Sequence, residues 1–442
     1  MLSYENEKHL DVYDNRYELY QDGKKTVYRQ GFQNIAAQKR YEYIKSELEK
    51  GFLEKTLQTA LSADFRQLSE RNRILLLNMV SGITSEVGRA LVGLVFLQLT
   101  IKSISPEQCI RLHKGATRKG SFSWVDGVSM RTIDSTYNTP FLRNHGLLNL
   151  NNYGLFMTRS LAENYPYTSL YKADMKGAFK DWINIVDAIE NNSMPAKLSL
   201  CYLMALLQNR SVKFKKDAEQ ACQLVDLYLN ENFESIKNLL IKFFNNTSYS
   251  ARAFEITIHG LFQALQELSL LGDYKLVPLS QMRSANKKHK NIGDIELVEN
   301  GIILESWDAK YGKPYLRDEL EELRDKLLLH SECQIAGFVT NSDVDCREDI
   351  RNRMREISDE TSTCIYIFNF NQWIEYQLSR LTICNKNALG YRWLKATVES
   401  FAQRRPCLAP IDEPCDVWIN DLISCLKISS LLFFEFLDSN VL

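Results

Sequence analysis

The stretch Gly293-Asp-Ile-Glu-Leu-Val-Glu-Asn-Gly-Ile-Ile-Leu-Glu-Ser-Trp-Asp-Ala-Lys310 decides the fold of the C-terminal part of this chain. Apolar residues recur in both halves of it, and Glu-Asn-Gly at 299–301 separates the halves. Two apolar runs joined by an Asn-Gly pair are typical of buried strands connected by a tight turn. The sequence therefore predicts a β-hairpin over 293–310.

The predicted hairpin brings charged side chains together at its open end. Asp294 lies on the first strand and Asp308 on the second, and Lys310 shares the face of Asp308 because strand residues two apart point the same way. Charges at the end of a buried strand need partners or a metal. Two carboxylates suit Mg²⁺, which prefers oxygen ligands. We therefore expect a Mg²⁺ site with Asp294 and Asp308 as ligands and with Lys310 acting on a water or a phosphate.

Two further acids in the hairpin are expected to take no part in this site. Glu305 is one residue out of phase with Asp308 and Lys310, so its side chain should point to the other face. Glu296 shares the phase of Asp294 but is expected to lie at the surface.

The pattern Asp294…Asp308-Ala309-Lys310 resembles the active-site motif of the PD-(D/E)xK nucleases, the superfamily that holds most type II restriction endonucleases. The resemblance implies that the backbone carbonyl of Ala309 is a third metal ligand. It also implies that Glu255, on the helix before the hairpin, is a further acidic residue of the site. Gly293 stands where the literal motif has proline, a departure that is common in the superfamily.

The order of predicted elements after residue 250 agrees with an α/β nuclease core, in which helices flank a mixed sheet. We expect a helix at 251–270, a strand at 274–279, the hairpin, a helix at 316–329, strands at 333–340 and 364–369, and a helix at 371–382. One further crossover helix and a C-terminal helical extension complete a predicted nuclease domain over 251–442. The polar segment at 245–250 is the predicted domain boundary.

The region 1–250 is predicted to be a mainly helical DNA-binding part. Within it, residues 85–160 read as helix, helix and hairpin, which resembles a winged helix-turn-helix, with 147–159 as the wing. A local excess of basic and hydrogen-bonding side chains in this element indicates a DNA-reading surface. Its candidate contacts are Arg118, Lys119, Arg131, Thr132, Ser135, Asn138, Thr139, Arg143 and Arg159. A second basic cluster just before the hairpin, with Arg283, Lys287 and Lys288, is expected to guide a strand past the metal site.

Composition and motifs argue against a secreted, membrane-spanning or nucleotide-binding protein. The net charge is −1, so a nucleic-acid surface must be a local patch. The ten cysteines show no paired metal-ligand spacing, and the chain begins with polar residues, which predicts a cytoplasmic protein with reduced thiols. The apolar runs at 90–99 and 428–437 are shorter than the roughly 20 residues that span a bilayer, and we expect core helices there. No phosphate-binding loop or dinucleotide fingerprint is present in the sequence.

These observations predict a Mg²⁺-dependent enzyme that cuts double-stranded DNA at specific sequences, similar to a type II restriction endonuclease. One site per chain implies a homodimer on a palindromic target, because each site cuts one strand. The resemblance further implies a companion DNA methyltransferase in the host. Two alternatives stay open: another DNA nuclease on the same core (a methylation-dependent, repair or antiphage enzyme), and a DNA-binding regulator without catalysis.

Overall fold

The computed structural model describes residues 8–21, 23–116, 122–151, 153–173, 175, 177–279, 291–313, 316–344, 347–404 and 414–439. The chain divides into two compact units, Met1–Lys213 and Phe214–Leu442. The division differs from the predicted boundary at 250. It falls inside one continuous helix, and the polar segment 245–250 is a short connection between two helices of the second unit.

A three-stranded antiparallel sheet opens the first unit, in a region where sequence analysis predicted mainly helix. Its strands are β1 (His9–Val12), β2 (Arg16–Gln21) and β3 (Lys24–Arg29), in the order β1-β2-β3. Gln21 pairs with Lys24 where β2 meets β3, and Gly23, just before Lys24, has a positive φ of 70°. Buried Tyr17 and Tyr28 pack on Trp124, which gives this sheet its own small core.

The rest of the first unit is mainly helical, as predicted. Its long helices are α1 (Ile35–Glu49), α2 (Phe52–Ala60), α3 (Glu70–Ser81) and α4 (Glu86–Ile104). Ser85 caps α4 by accepting the N–H of Gly88. The window Val87–Ile104 is long and apolar enough to cross a membrane, but 89% of it is buried inside the protein, as expected for a core helix.

The predicted winged helix-turn-helix is not formed. Residues 130–144 contain the single turn α5 (Met130–Ile133), a π-helical turn (Asp134–Asn138) and α6 (Thr139–Asn144). In the expected wing, the described residues of 147–159 contain no strand, and short 3₁₀ helices occupy Leu155–Met157 and Arg159–Ala162. The physical reason is visible at Leu147, Leu148 and Leu150, which are all buried, whereas a hairpin wing would alternate between a buried and an exposed face.

One long helix contains the point at which the chain divides into its two units. The first unit continues with α7 (Phe179–Glu190), and the long helix α8 (Ala196–Val225) carries the division at Lys213. The second unit begins with the end of α8, a 3₁₀ turn (Asp226–Tyr228) and α9 (Phe233–Asn246).

A mixed five-stranded sheet forms the centre of the second unit. Helix α10 (Ser250–Glu267) precedes β4 (Lys275–Leu276), β5 (Ile295–Glu299) and β6 (Ile302–Ala309). Then follow α11 (Arg317–Leu327), β7 (Ile335–Thr340), α12 (Glu348–Thr361), β8 (Cys364–Asn369), α13 (Phe370–Ser379), α14 (Lys386–Phe401) and α15 (Cys415–Ser439). The sheet order is β4-β5-β6-β7-β8; the pairs within β4–β6 are antiparallel, and β6, β7 and β8 run parallel. The predicted mixed sheet with flanking helices is confirmed.

Helices cover both faces of this sheet and create two cores. On one face, Trp307 and Val339 pack with apolar residues of α10, α13 and α14. On the other face, Phe338 and Ile365 pack with Leu320 of α11 and Ile357 of α12. Parallel strands are normally buried in this way, because their crossover helices lie against the sheet.

The hairpin β5–β6 closes with the predicted Asn-Gly turn. Asn300 and Gly301 both have positive φ, 52° and 84°, as a tight hairpin turn of the mirror type requires. The strand register shifts between Leu297 and Val298, which face Glu305 and Ile303, so one extra residue, Leu304, forms a bulge in β6.

Candidate metal centre and its surroundings

Asp294 and Asp308 lie together at the open end of the hairpin. Ile295 pairs with Trp307, and continuing this register by one residue places Asp294 opposite Asp308. The two carboxyl groups are hydrogen-bonded to each other. Asp294 Oδ2 also accepts the backbone N–H of Ala309 at 3.1 Å, which fixes it beside the second strand. The predicted convergence of the two acids is therefore present.

Lys310 completes the group from the same strand end. Its Nζ lies 2.9 Å from Asp308 Oδ2 and above the ring of Phe338. Its backbone N–H donates to the carbonyl of Val339 at 2.8 Å, which extends the parallel ladder beyond β6 and holds Lys310 in place. Only 22% of the Lys310 side chain and 15% of that of Asp308 are exposed, so their charges interact at the edge of the protein interior.

Glu255 approaches the pair from α10. Both Glu255 and Arg252 are buried on this helix, and their side chains form an ion pair. The negative charge of Glu255 acts on Asp294 and contributes to a raised pKa there. The structure therefore brings all four candidate catalytic residues into one neighbourhood, and it adds Arg252, which sequence reasoning missed.

The protonation of this cluster follows from burial and like charge. Burial, together with the charge of Asp294, raises the pKa of Asp308 well above its usual range. Burial and the charge of Glu255 raise the pKa of Asp294 as well. For Lys310, burial lowers the pKa, but the charge of Asp308 outweighs it and leaves the pKa above its usual value. Lys310 is thus a cation at neutral pH.

The cluster fits a hard divalent cation. Two buried carboxylates in contact need a shared proton or a cation between them. Mg²⁺ is commonly held by one or two carboxylates, completed by water and phosphate oxygens. Among the described residues, no group of three or more His, Cys, Asp or Glu side chains is arranged as a metal site, and Glu255 is paired with Arg252. The protein ligands that fit are Asp294 and Asp308, with Ala309 beside them.

The other acids of the hairpin have structural roles. Glu305 points to the opposite face, as predicted, where it accepts hydrogen bonds from Trp307, Gln377 and Arg380 at 2.6–3.1 Å. Glu296 was expected at the surface, and this was wrong: only 4% of it is exposed. Its Oε1 accepts the N–H of Ile292 at 2.6 Å, which shapes the segment leading to Asp294.

The predicted DNA contacts fall into three groups. Arg118, Lys119, Arg283, Lys287 and Lys288 lie outside the described residues. Arg131, Thr132, Arg143 and Arg159 are exposed and Ser135 is half-buried, although Arg131 donates to the carbonyl of Phe156 and Arg143 to that of Leu150.

Asn138 and Thr139 are the third group, and they correct the prediction. They are 0% and 1% exposed, and Thr139 donates to buried Asp134 at 2.9 Å. The π-helical turn directs these side chains into the core, so they are not available to DNA in this structure.

A small polar cleft lies at the carboxyl ends of the parallel strands, where sequence analysis predicted nothing. Four of its nine lining residues are asparagines. The lining residues are Ile241, Phe244, Asn245, Asn341, Ser342, Asp343, Asn369, Phe370 and Asn371. We call it the carboxamide cleft. In sheets with parallel strands, ligands bind outside the carboxyl ends of the strands. The strand order therefore indicates this edge of the sheet as a place for a ligand site.

No protein-family model matches this sequence, and no functionally characterised protein is significantly similar to it. The resemblance to the PD-(D/E)xK nucleases therefore depends on the residues of the site and their placement alone.

Proposed function

We propose that this chain is a Mg²⁺-dependent endodeoxyribonuclease with a PD-(D/E)xK-type core, similar to a type II restriction endonuclease. The observation that carries the proposal is the contact of Asp294 and Asp308, joined by Lys310 and approached by Glu255, at one end of a mixed sheet. Structural ion pairs balance opposite charges, whereas here three acids face two cations, Lys310 and Arg252. One carboxylate is therefore left to share a proton or to bind an added cation. Such an arrangement is expected where a metal works on an anionic substrate.

Hydrolysis of a phosphodiester needs a water oxygen to bond to phosphorus while one phosphorus–oxygen ester bond breaks. Asp294 and Asp308 would hold Mg²⁺, which when bound neutralises phosphate charge and lowers the pKa of a coordinated water. Lys310 is already protonated, so it does not accept the proton of that water; that proton would leave to solvent, and the departing ester oxygen would take up a proton from solvent. Its role in the proposal is to orient the water and to offset the negative charge that develops on the phosphate.

Double-strand cleavage would follow from two copies of the chain, since one site cuts one strand. A palindromic target and a companion DNA methyltransferase in the same cytoplasm belong to this proposal. The exposed residues Arg131, Thr132, Arg143 and Arg159 remain its candidate backbone contacts in the first unit, with Ser135 beside them.

The test is cleavage of unmethylated phage DNA by the purified chain with Mg²⁺ or with EDTA. Lys310→Ala should abolish cleavage, whereas Lys275→Ala, an exposed lysine on the edge strand β4, should leave it unchanged. Discrete fragments that require Mg²⁺ and Lys310 are the expected result. Cleavage that persists in Lys310→Ala would place the active site elsewhere. DNA binding without cleavage would favour the regulator.

A further inference from the structure

The carboxamide cleft is a candidate binding site next to the proposed metal centre. Its walls come from the last residues of β8, the chain after β7, the end of α9 and the start of α13. Its volume is about 110 Å³. Ligand pockets commonly have volumes of about 300–1,000 Å³, so this cleft is small for a whole flipped nucleotide and suits the edge of a base.

Hydrogen bonds connect the cleft to the chain that follows Lys310. The N–H of Gly312 donates to Asn341 Oδ1 at 2.6 Å, and the hydroxyl of Tyr311 donates to Asn245 Oδ1 at 3.3 Å. Two residues span at most about 7 Å, so the Asn341 amide lies within about 10 Å of the Lys310 backbone. DNA advances about 3.4 Å per nucleotide along a strand, so a base at the Asn341 wall of the cleft would lie within a few nucleotides of a phosphate held beside Lys310.

The chemistry of the cleft favours a base over a phosphate. Its lining contains no lysine or arginine among the described residues and one carboxylate, Asp343. A phosphate would meet no cation there, whereas carboxamides donate and accept hydrogen bonds as base edges do.

Asn371 is the member of the cleft that is best placed to contact a ligand. Asn341 and Asn245 already hold the Tyr311–Gly312 segment, and the Asn369 side chain caps α13 by accepting the N–H of Gln372 at 2.9 Å. Asn371 is exposed in the first turn of α13, and its side chain has no hydrogen-bond partner within the parts of the chain that the structure describes.

We propose that the carboxamide cleft reads the edge of one base beside the cut, with Asn371 as the specificity-determining residue and adenine as the preferred base. Asparagine forms a pair of hydrogen bonds with the N6 and N7 atoms of adenine. The proposal rests on the proposed nuclease function and deepens it, because it transfers base reading from the buried Asn138 and Thr139 to the second unit.

The experiment measures cleavage rates on substrates that carry each of the four bases at each of the three positions on either side of the mapped cut. The wild-type chain should prefer adenine at one position. Asn371→Ala should lose that preference by about 5- to 150-fold, the range expected for one bidentate contact. Asn371→Asp should shift the preference toward cytosine, whose amino group a carboxylate accepts. Asn352→Ala, an exposed asparagine on α12, is the matched control and should behave as wild type.

The outcomes separate this inference from the proposed function. A wild-type chain that cuts DNA without a base preference near the cut would overturn the inference and leave the nuclease standing. An equal loss of rate on all substrates in Asn371→Ala would also overturn it, because a structural or backbone role has that signature. A wild-type chain that neither cuts DNA nor is stabilised by Mg²⁺ would remove the proposed function, and the inference with it.

Discussion

Asp308→Asn should stabilise the Mg²⁺-free protein, although it removes an ion pair. Lys310 Nζ lies 2.9 Å from Asp308 Oδ2, and at an effective dielectric constant of about 20 their attraction is about 6 kcal/mol. The neighbouring carboxyl of Asp294 opposes this attraction. Burial is the largest influence on Asp308 and penalises its charged form. Lys310 keeps Asp294 as a neighbouring charge in the variant, so removing the buried charge of Asp308 should give a gain of about 1–3 kcal/mol, the usual desolvation cost of a buried polar group.

The gain in stability of Asp308→Asn over wild type should increase as the pH rises. The pKa of Asp308 is raised by burial, so its contribution to stability is present below the ordinary aspartate pKa of about 3.9 and is lost as pH rises through the higher folded-state value. Wild type and Asp308→Asn should therefore be similar near pH 4 and should diverge toward pH 8.

Thermal and urea unfolding in EDTA and in Mg²⁺ provide the assay. Saturating Mg²⁺ at about 100 times its dissociation constant should stabilise wild type by about 2.7 kcal/mol and should have little effect on Asp308→Asn. Glu296→Gln is the control, because Glu296 is also buried with a raised pKa but accepts only backbone N–H groups near Ile292, so its Mg²⁺ response should match wild type. The reasoning would be refuted if Asp308→Asn were less stable than wild type in EDTA at pH 8, or if Mg²⁺ stabilised both equally.

Two further substitutions test the packing around the site and in the first unit. Glu305→Ala should cost about 2–4 kcal/mol in urea unfolding, because it leaves Trp307 and the partly exposed Arg380 without their buried acceptor. Glu305→Gln should recover part of this loss, and an unchanged unfolding midpoint would contradict the assignment. Burial raises the pKa of Asp134 from 3.8 to about 6, so its contribution is present below pH 4 and lost as pH rises through about 6. Asp134→Asn should match wild type near pH 4 and exceed its stability by up to about 3 kcal/mol at pH 8, and a parallel pH dependence of the two proteins would argue against a buried acid there.

The sequence was most informative where local and tertiary demands agree. In the β5–β6 hairpin, the Asn-Gly turn, the apolar strands and the acids at the open end all indicate one arrangement, and the structure contains it. The helices around the sheet were predicted for the same reason, since their apolar faces match the two cores.

Two errors came from patterns with more than one solution. The Leu- and Asn-rich segment 147–159 fits a strand-turn-strand pattern, but the consecutive burial of Leu147 and Leu148 does not fit the alternation of a strand with one exposed face. The boundary at 213 lies inside α8, so no change in composition marks it. The N-terminal sheet, by contrast, had a readable signal: the Asp-Gly pair at 22–23 between two alternating segments.

The place of the Arg252–Glu255 pair, and the cleft at Asn371, were beyond the reach of sequence reasoning. The cleft depends on which side chains of distant elements meet, and the spacing of residues along the chain does not determine that. The Arg252–Glu255 pair is three residues apart on one helix and could have been expected from spacing, but its place beside Asp294 could not.

The bulge at Leu304 constrains how this protein can change by insertion and deletion. Ile303 packs in the core beneath α11 and α12, while Trp307, four positions later, packs in the opposite core, although residues four apart in a regular strand point to the same face. The bulge shifts the alternation of side chains between the two faces of the sheet by one residue. Both ends of β6 therefore bury apolar side chains, and Asp308 lies at the open end of the hairpin. Loss of one residue between Leu304 and Lys310 would turn the side chains of Asp308 and Trp307 to the opposite faces of the sheet. Related chains should therefore vary freely in the length of the Asn300–Gly301 turn and hold the distance from the bulge to Lys310 constant.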